Sequence, residues 1–249
     1  MYPVLWEPFG FAISSFGVMV AIGFLVSDYV VAKRFREMRL DPELSSTILI
    51  YAVVFGVLGS KLYYAAEFSL RGEVEFWDAL FARAGMVWFG GLILGTVGVT
   101  VATRLHDIPT ASVASAVANA APFGQACGRI GCFLVGDDYG KPTDAWYGVA
   151  FPEGSPPMPI PVHPTQLYET AWLILIGVVL WKRRKASPFL FAEYGVLAGI
   201  GRFAVETLRV NPPVAFDLTG AQLIGIAMIA VGGAVWLYAR WSAKPAPNN

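Results

Sequence analysis

The chain has 249 residues, of which 56% are hydrophobic and only 14% charged, whereas a soluble domain carries about 25% charged residues. Its 18 Lys and Arg balance its 18 Asp and Glu, so the net charge indicates no acidic or basic partner. This composition favours a polytopic membrane protein. It argues against a soluble enzyme, a disordered chain or a nucleic-acid-binding protein.

Seven stretches of the chain are long and apolar enough to be transmembrane helices. A span needs about 20 mostly apolar residues, and a backbone in lipid must satisfy its own hydrogen bonds, so each stretch is predicted to be helical. The predicted spans are 11–32, 45–66, 85–103, 110–132, 165–181, 188–208 and 219–239. We therefore expect an all-α membrane fold, with residues 1–249 forming a single domain and a long loop at about 133–164.

The basic residues predict the direction of the spans, because basic loops stay in the cytoplasm. No basic residue precedes the first span, and four follow it: Lys33, Arg34, Arg36 and Arg39. This pattern places the N-terminus outside and the C-terminus in the cytoplasm. The alternating loops then carry eleven basic residues inside and four outside. The 133–164 loop is external in this topology, and its Trp146, Tyr147 and Phe151 indicate that it folds onto the membrane surface.

Several charged residues lie at membrane depth, where ionisable groups are costly and usually functional. Arg129 lies near the outer end of the fourth span. Arg202 and Glu206 are four residues apart in the sixth span, and with Arg209 they are predicted to share one helical face. Guanidinium groups grip phosphate in a bidentate manner and stay charged in apolar surroundings. Arg129 and Arg202 are thus predicted to form an anion clamp for a phospholipid headgroup at the outer leaflet.

Other groups near the same face can assist such a clamp. The carboxylates of Glu206, Glu169 and Asp137 can orient the arginines or move a proton. His163 precedes the Pro164 that begins the fifth span. It can cap that helix or act as an acid or base near neutral pH.

Each of these residues also has a purely structural interpretation. Arg202 and Glu206 can form only an intrahelical ion pair, and Arg129 can extend from a helix end towards water. Lys61 is either an interfacial anchor or a ligand for substrate. Cys132 is either a packing residue or part of the site.

Three motifs in chain order resemble the bacterial phosphatidylglycerol–prolipoprotein diacylglyceryl transferase family, and the resemblance spans nearly the whole chain. The motifs are Gly128-Arg129-Ile130-Gly131-Cys132-Phe133 with 136–143, His163-Pro164-Thr165-Gln166-Leu167-Tyr168-Glu169, and Gly201-Arg202-Phe203-Ala204-Val205-Glu206 with Arg209. Residues 86–92 resemble the family's helix with a glycine pair.

The resemblance implies transfer of the diacylglyceryl group of phosphatidylglycerol to the lipobox cysteine of a prolipoprotein. A thioether forms and glycerol phosphate leaves. It further implies that Arg129 and Arg202 hold the phosphate, that Glu206 orients an arginine, and that the second motif shapes the site. The enzyme is expected in the bacterial cytoplasmic (inner) membrane with its site towards the outer face.

These considerations together define the predicted site and its partners. The predicted catalytic residues are Arg129, Arg202, Glu206, Asp137 and His163. The predicted substrate-binding residues are Arg129, Arg202, Gly140, Gln166, Tyr168, Glu169, Cys132 and Lys61. The expected partners are phosphatidylglycerol or a related anionic phospholipid, a prolipoprotein lipobox peptide and the lipid bilayer. No metal, organic cofactor or nucleic acid is expected.

The chain departs from the family pattern at several polar positions. Cys132 and Val135 stand where the family has Asn, Asp137 where it has Glu, and Phe16 and Phe89 where it has polar or hydroxylated side chains. Two alternatives follow from these departures. One is a divergent transferase with a phospholipid donor and another acceptor, and the other is a non-catalytic phospholipid-binding or transport protein.

Overall fold

The structure is a computed structural model that describes residues 2–10, 12–82, 85–185 and 189–242. Its helices are α1 (Ser15–Glu37), α2 (Leu44–Leu70), α3 (Phe76–Phe81), α4 (Trp88–Leu105), α5 (Thr110–Val135), α6 (Thr165–Arg183), α7 (Leu190–Glu206) and α8 (Gly220–Ser242). Its strands are β1 (Val4–Trp6), β2 (Ile13–Ser14), β3 (Val149–Phe151), β4 (Met158–Val162), β5 (Pro213–Ala215) and β6 (Leu218–Thr219). They pair as three antiparallel hairpins, β1–β2, β3–β4 and β5–β6.

A long helix occupies each of the seven stretches predicted to be spans, with ends that shift by a few residues. The largest difference is in α1, which continues five residues further, to Glu37. The all-α expectation is incomplete, because three short hairpins are present. Strand β2 lies inside the predicted first span and Thr219 of β6 is the first residue of the predicted last span, whereas the other strands and the short helix α3 lie in segments predicted to be loops. Four residues used in the predictions lie outside the described residues. Two of them, Phe11 and Pro188, lie at or near predicted span ends, and the other two, Arg83 and Lys244, were counted among the basic residues of the loops.

Membrane character is evident in the apolar helices. In the described part of the chain, three helices are long and apolar enough to cross a membrane: α1, α2 and α8. Helix α4 is a shorter apolar helix. The number of spans and their direction stay predictions.

The chain divides into two compact units, 1–30 with 114–249 and 31–113. The single-domain organisation stays a prediction. In the first unit, α5, α6 and α7 meet in an apolar core of Ala118, Ile176, Leu180, Leu190 and Tyr194. Helices α7 and α8 approach closely at Gly199, where an added Cβ would lie 2.6 Å from the Gly225 carbonyl oxygen. Small residues let helix backbones come this near, as is typical in membranes.

The second unit is built on the packing of α2 against α4. Gly59 and Gly90 face each other, and a Cβ added to either would collide with the carbonyl oxygen of the other. Gly90 and Gly91 form the glycine pair of the 86–92 stretch, and Gly91 packs on Ser60. The pair therefore serves helix–helix contact in this unit.

The segment between α5 and α6 folds into the hairpin β3–β4. Phe151 is buried, with its ring 5.5 Å from that of Tyr139 and 5.7 Å from that of Phe133. The buried ring of Phe151 is therefore not available for contact with a membrane surface. That the loop folds onto the membrane surface stays a prediction. Trp146 remains 94% exposed.

Candidate active site

The carboxylate of Glu169 lies at the centre of a cluster of arginines in the first unit. Its Oε2 is 2.6 Å from Nε of Arg129 and 3.2 Å from Nη2 of Arg209, and its Oε1 is 2.9 Å from Nη1 of Arg202. Glu169 belongs to the first turns of α6, Arg129 to α5 and Arg202 to α7, and Arg209 follows α7. Three separate segments thus meet at one buried carboxylate.

Asp138 is a second carboxylate shared within this cluster. Its Oδ2 lies 2.7 Å from Nη1 of Arg129 and 3.3 Å from Nη1 of Arg209. Partial burial raises the pKa of the Asp138 carboxyl, but Arg209, Arg129 and Arg202 together outweigh burial and hold that pKa below its usual value. Asp138 therefore stays ionised beside the arginines.

The end of α5 brings Asp138 to the cluster. Gly136 adopts a positive φ of 78° and donates its N–H to the Cys132 carbonyl at 2.8 Å, as is typical of a glycine that ends a helix. The chain then reverses over the helix end. From the start of α6, Thr165 Oγ1 donates to the Asp138 carbonyl at 2.7 Å and Gln166 Nε2 donates to the Asp137 carbonyl at 2.5 Å. The 136–143 part of the first motif and the second motif are thus joined by direct hydrogen bonds.

Glu206 contacts Arg202 from the same helix, with Oε2 lying 3.4 Å from Nη2. Its other oxygen, Oε1, accepts hydrogen bonds from Asn211 Nδ2 at 2.6 Å and Thr219 Oγ1 at 2.9 Å. The intrahelical pair predicted as an alternative is present, but Arg202 also reaches across to Glu169 on α6. The prediction that Arg209 shares the helical face of Arg202 and Glu206 is wrong, because α7 ends at Glu206 and Arg209 lies in the turn beyond it.

Exposure separates the three arginines. The side chains of Arg129 and Arg202 are 25% and 28% exposed, whereas that of Arg209 is 3% exposed. Only the first two can therefore offer N–H groups to an incoming anion without a rearrangement. Arg209 forms ion pairs with Glu169 and Asp138 on the buried side of the cluster. The alternative in which Arg129 only extends towards water does not hold, since its guanidinium bridges two carboxylates.

Cys132 and Asp137 lie on the Arg129 side of the cluster. The Cys132 side chain is buried, and its Sγ lies 3.9 Å from Nη1 of Arg129. Burial raises the pKa of the Asp137 carboxyl, although a hydrogen bond from the Cys132 thiol and the charge of Arg129 act in the opposite direction. Among the described residues, Oδ1 of Asp137 has no hydrogen-bond partner and is buried. One potential ligand atom each from Cys132, Asp137 and Asp138 lie within 4.8 Å of one another, but Asp138 is already paired with two arginines.

His163, Tyr168 and Gly140 form the adjoining wall. Nδ1 of His163 lies 3.2 Å from the Tyr168 hydroxyl, and Gly140 donates its N–H to the His163 carbonyl at 2.9 Å. A Cβ on Gly140 would lie 2.7 Å from the Leu208 carbonyl oxygen and 2.8 Å from Cγ2 of Thr165. Glycine is thus the residue that allows this loop to pack between α6 and the segment after α7.

The structure brings most of the predicted site residues together within the first unit. Lys61 belongs to the second unit, where its Nζ donates to the Ala82 carbonyl, and its role in substrate binding stays a prediction. Sequence reasoning did not include Asp138 and Arg209 in the site. The signals were the adjacent acidic pair at 137–138 and the position of Arg209 three residues after Glu206.

Comparison with known proteins identifies the class to which this helical membrane fold and arginine-rich site belong. The family described as prolipoprotein diacylglyceryl transferase matches residues 3–238. The chain is 33% identical to phosphatidylglycerol–prolipoprotein diacylglyceryl transferase of Clostridium tetani over 93% of this chain and 95% of that protein. It is 30% identical to the protein of the same name from Thermotoga maritima, over 95% of this chain and 84% of that protein. The chain belongs to the prolipoprotein diacylglyceryl transferase family.

Proposed function

We propose that this chain is a transferase that moves the diacylglyceryl group of phosphatidylglycerol to a prolipoprotein during lipoprotein maturation. The acceptor is the thiol of the lipobox cysteine. The observation that carries the proposal is the convergence of Arg129 and Arg202, two accessible arginines from different helices, on the single carboxylate of Glu169. Membership of the family and the names of its relatives support the donor and the acceptor.

The bond changes explain why the reaction needs two arginines. The cysteine sulfur forms a C–S bond to the terminal glyceryl carbon of the diacylglyceryl group, and the C–O bond to phosphate breaks. The electron pair leaves with glycerol phosphate, so negative charge grows on the phosphate as the bond lengthens. Arg129 and Arg202 stabilise that growing charge, and a preoriented donor of this kind typically contributes a factor of about 10² to 10³ in rate.

The salt bridges hold both guanidinium groups before the lipid arrives. Arg129 contacts Glu169 and Asp138, and Arg202 contacts Glu169 and Glu206. The salt bridges of Arg129 go through Nε and Nη1, and those of Arg202 go through Nη1 and Nη2, so the nitrogens left over are Nη2 of Arg129 and Nε of Arg202. These N–H groups are the ones we assign to the lipid phosphate.

The thiol proton must pass to a base when sulfur attacks. We assign this role to Asp137, because its raised pKa makes it a better proton acceptor than an ordinary aspartate and its Oδ1 is unpaired among the described residues. His163 is assigned to the same wall of the site, with its ring oriented by Tyr168.

The membrane arrangement that we propose follows from charge and hydropathy. Seven helices span the bacterial cytoplasmic membrane, with the N-terminus outside and the cluster towards the outer face. The support is the distribution of basic residues between alternating loops and the position of Arg129, Glu169 and Arg202 at one end of their helices. Phosphatidylglycerol then reaches the arginines from the outer leaflet.

A donor–acceptor assay tests the proposal. Purified protein is incubated with phosphatidylglycerol vesicles and a lipobox peptide, and the peptide mass and released glycerol phosphate are measured. We expect a mass increase of one diacylglyceryl unit and one glycerol phosphate per modified peptide. A peptide whose cysteine is replaced by Ser is the matched control. Lipid binding without glycerol phosphate release would reject catalysis, and release without peptide modification would indicate another acceptor.

A further inference from the structure

Two residues of the segment between α7 and α8, which the proposed chemistry does not use, hold the carboxylate of Glu206. Its Oε1 accepts a hydrogen bond from Asn211 at 2.6 Å and another from Thr219 at 2.9 Å. These two residues lie at the two ends of the hairpin β5–β6, which leaves the end of α7 and returns to the start of α8. The hairpin is thus closed at its base by one buried carboxylate.

The hydroxyl of Thr219 is constrained to point at Glu206. Its Oγ1 accepts the N–H of Gln222 at 3.3 Å, while Gln222 Oε1 accepts the N–H of Thr219 at 3.0 Å. This reciprocal pair is a capping box at the start of α8. Since the hydroxyl oxygen serves as an acceptor in the cap and a hydroxyl has a single proton, that proton is available for Glu206.

The second oxygen of Glu206 faces the arginine clamp. Oε2 lies 3.4 Å from Nη2 of Arg202, and it is buried without a hydrogen bond among the described residues. With both donors on Oε1, the carboxylate cannot rotate freely, so Oε2 stays directed at Arg202. The orientation of Arg202 therefore depends on two side chains that act through Glu206.

We infer that Asn211 and Thr219 are positioning residues, which hold Glu206 so that Arg202 faces the phosphate of the lipid donor. This inference rests on the proposed transferase function and adds two residues to it. Because the phosphate gains charge as the C–O bond breaks, a misoriented Arg202 costs more in the transition state than in the bound lipid. Loss of either residue is therefore expected to lower kcat more than it raises KM.

The test uses the full-length protein in lipid nanodiscs and the donor–acceptor assay. Asn211→Ala is expected to lower kcat about tenfold, with KM for phosphatidylglycerol changed by less than about threefold. Thr219→Val is expected to behave in the same way, and Thr219→Ser, which keeps the hydroxyl, is expected to restore kcat to within about twofold of the wild type.

Two controls separate positioning from loss of structure. Thr207→Val removes a hydroxyl that donates to the Ala204 carbonyl at the same end of α7, away from Glu206 Oε1 and its two donors. Gln222→Ala removes the side-chain oxygen that accepts the Thr219 N–H and so weakens the cap of α8. It keeps the bond from the Gln222 backbone N–H to Thr219 Oγ1 and the bond from that hydroxyl to Glu206. Both are expected to keep kcat within about twofold, even where the thermal midpoint falls.

The outcomes distinguish this inference from the proposed function. Absence of transfer by the wild-type protein would reject the function itself. Transfer by the wild type together with equal losses of kcat in Asn211→Ala and Gln222→Ala would overturn the positioning role. Unchanged kcat in both Asn211→Ala and Thr219→Val would overturn it as well.

Discussion

Arg129 and Arg209 bind the same two carboxylate oxygens, Oε2 of Glu169 and Oδ2 of Asp138. The four side chains form a closed ring of alternating charge, with Arg129 on its accessible side and Arg209 on its buried side. Arg202 joins the ring through the second oxygen of Glu169. Because the two arginines share partners and differ in exposure, their substitution should affect different properties of the protein.

The accessible arginines should be required for turnover. Arg129→Ala and Arg202→Ala are each expected to lower kcat/KM for phosphatidylglycerol by at least about a hundredfold, because each removes a donor to the leaving phosphate. Lysine should restore little, since a single ammonium cannot bridge a carboxylate and a phosphate as a guanidinium does. The rate of glycerol phosphate release measures the effect.

Arg183 provides the control for this prediction. It binds Glu193 through Nε and Nη2 at 2.8 and 2.9 Å, at the opposite ends of α6 and α7 from the clamp. Arg183→Lys should leave turnover within about twofold, because the residue lies away from the clamp and lysine keeps the positive charge beside Glu193. Retained turnover in Arg129→Ala and Arg202→Ala would refute the clamp.

Removing the charge of Glu169 should destabilise the protein as well as inactivate it. Glu169→Gln keeps the shape of the side chain but removes the anion from three ion pairs, those with Arg129, Arg202 and Arg209. Breaking a buried ion pair from one side typically costs about 3 to 5 kcal/mol. We expect a clear fall in the thermal unfolding midpoint of the purified protein.

The matched substitution is Glu193→Gln, which breaks a pair with a single arginine, Arg183, whose side chain is 50% exposed. Its thermal midpoint should fall much less than that of Glu169→Gln. Equal falls of the thermal midpoint in the two variants would show that the Glu169 cluster contributes no more stability than the Arg183–Glu193 pair.

The pH dependence should report the Asp137 carboxyl. Burial raises its pKa above the usual value of about 3.9. As the base form is the one that accepts the thiol proton, kcat/KM should fall as the pH drops through this raised pKa. The free energy of unfolding changes with pH in the opposite direction. Because burial favours the protonated carboxyl in the folded protein, the stability that Asp137 contributes is present at low pH and is lost as the pH rises through its folded pKa.

A pH profile of kcat/KM checks this assignment. Asp137→Asn should reduce turnover and abolish the acid limb in what remains, whereas Asp137→Glu should keep a limb. An unchanged limb in Asp137→Asn would assign proton transfer to another group, with His163 the next to test.

The loop that carries Gly140 should not accept a side chain. The Cβ of Gly140→Ala would meet the Leu208 carbonyl oxygen, Thr165 and His163 at 2.7 to 2.9 Å, and relief requires the backbone to move. Overpacking of this kind typically costs about 1 to 3 kcal/mol. Gly128→Ala is the control, because its Cβ would meet nothing within 4 Å. Thermal unfolding of both variants should show a loss for Gly140→Ala alone.

The helices could be predicted because lipid leaves the backbone few choices. An apolar stretch of about 20 residues becomes a helix whatever its neighbours are, so hydropathy located α1, α2 and α8 within a few residues. The same reasoning could not find the hairpins, since β5 and β6 have two or three residues each and carry no periodic signal. Phe151 illustrates a related failure, because its burial depends on Tyr139 from the same loop and on Phe133 from the end of α5.

An apolar helical protein with charged residues inside apolar stretches could be inferred from the order of the amino acids, because charge is costly in a membrane and such arginines and carboxylates are conspicuous. The contacts of Glu169 with three arginines, the burial of Arg209 and the hold of Asn211 and Thr219 on Glu206 became visible in the folded chain. These contacts could not be predicted because they join residues far apart in the sequence: ion pairs between residues 33 to 40 positions apart depend on how the helices pack. Helical spacing reveals only neighbours three or four positions away.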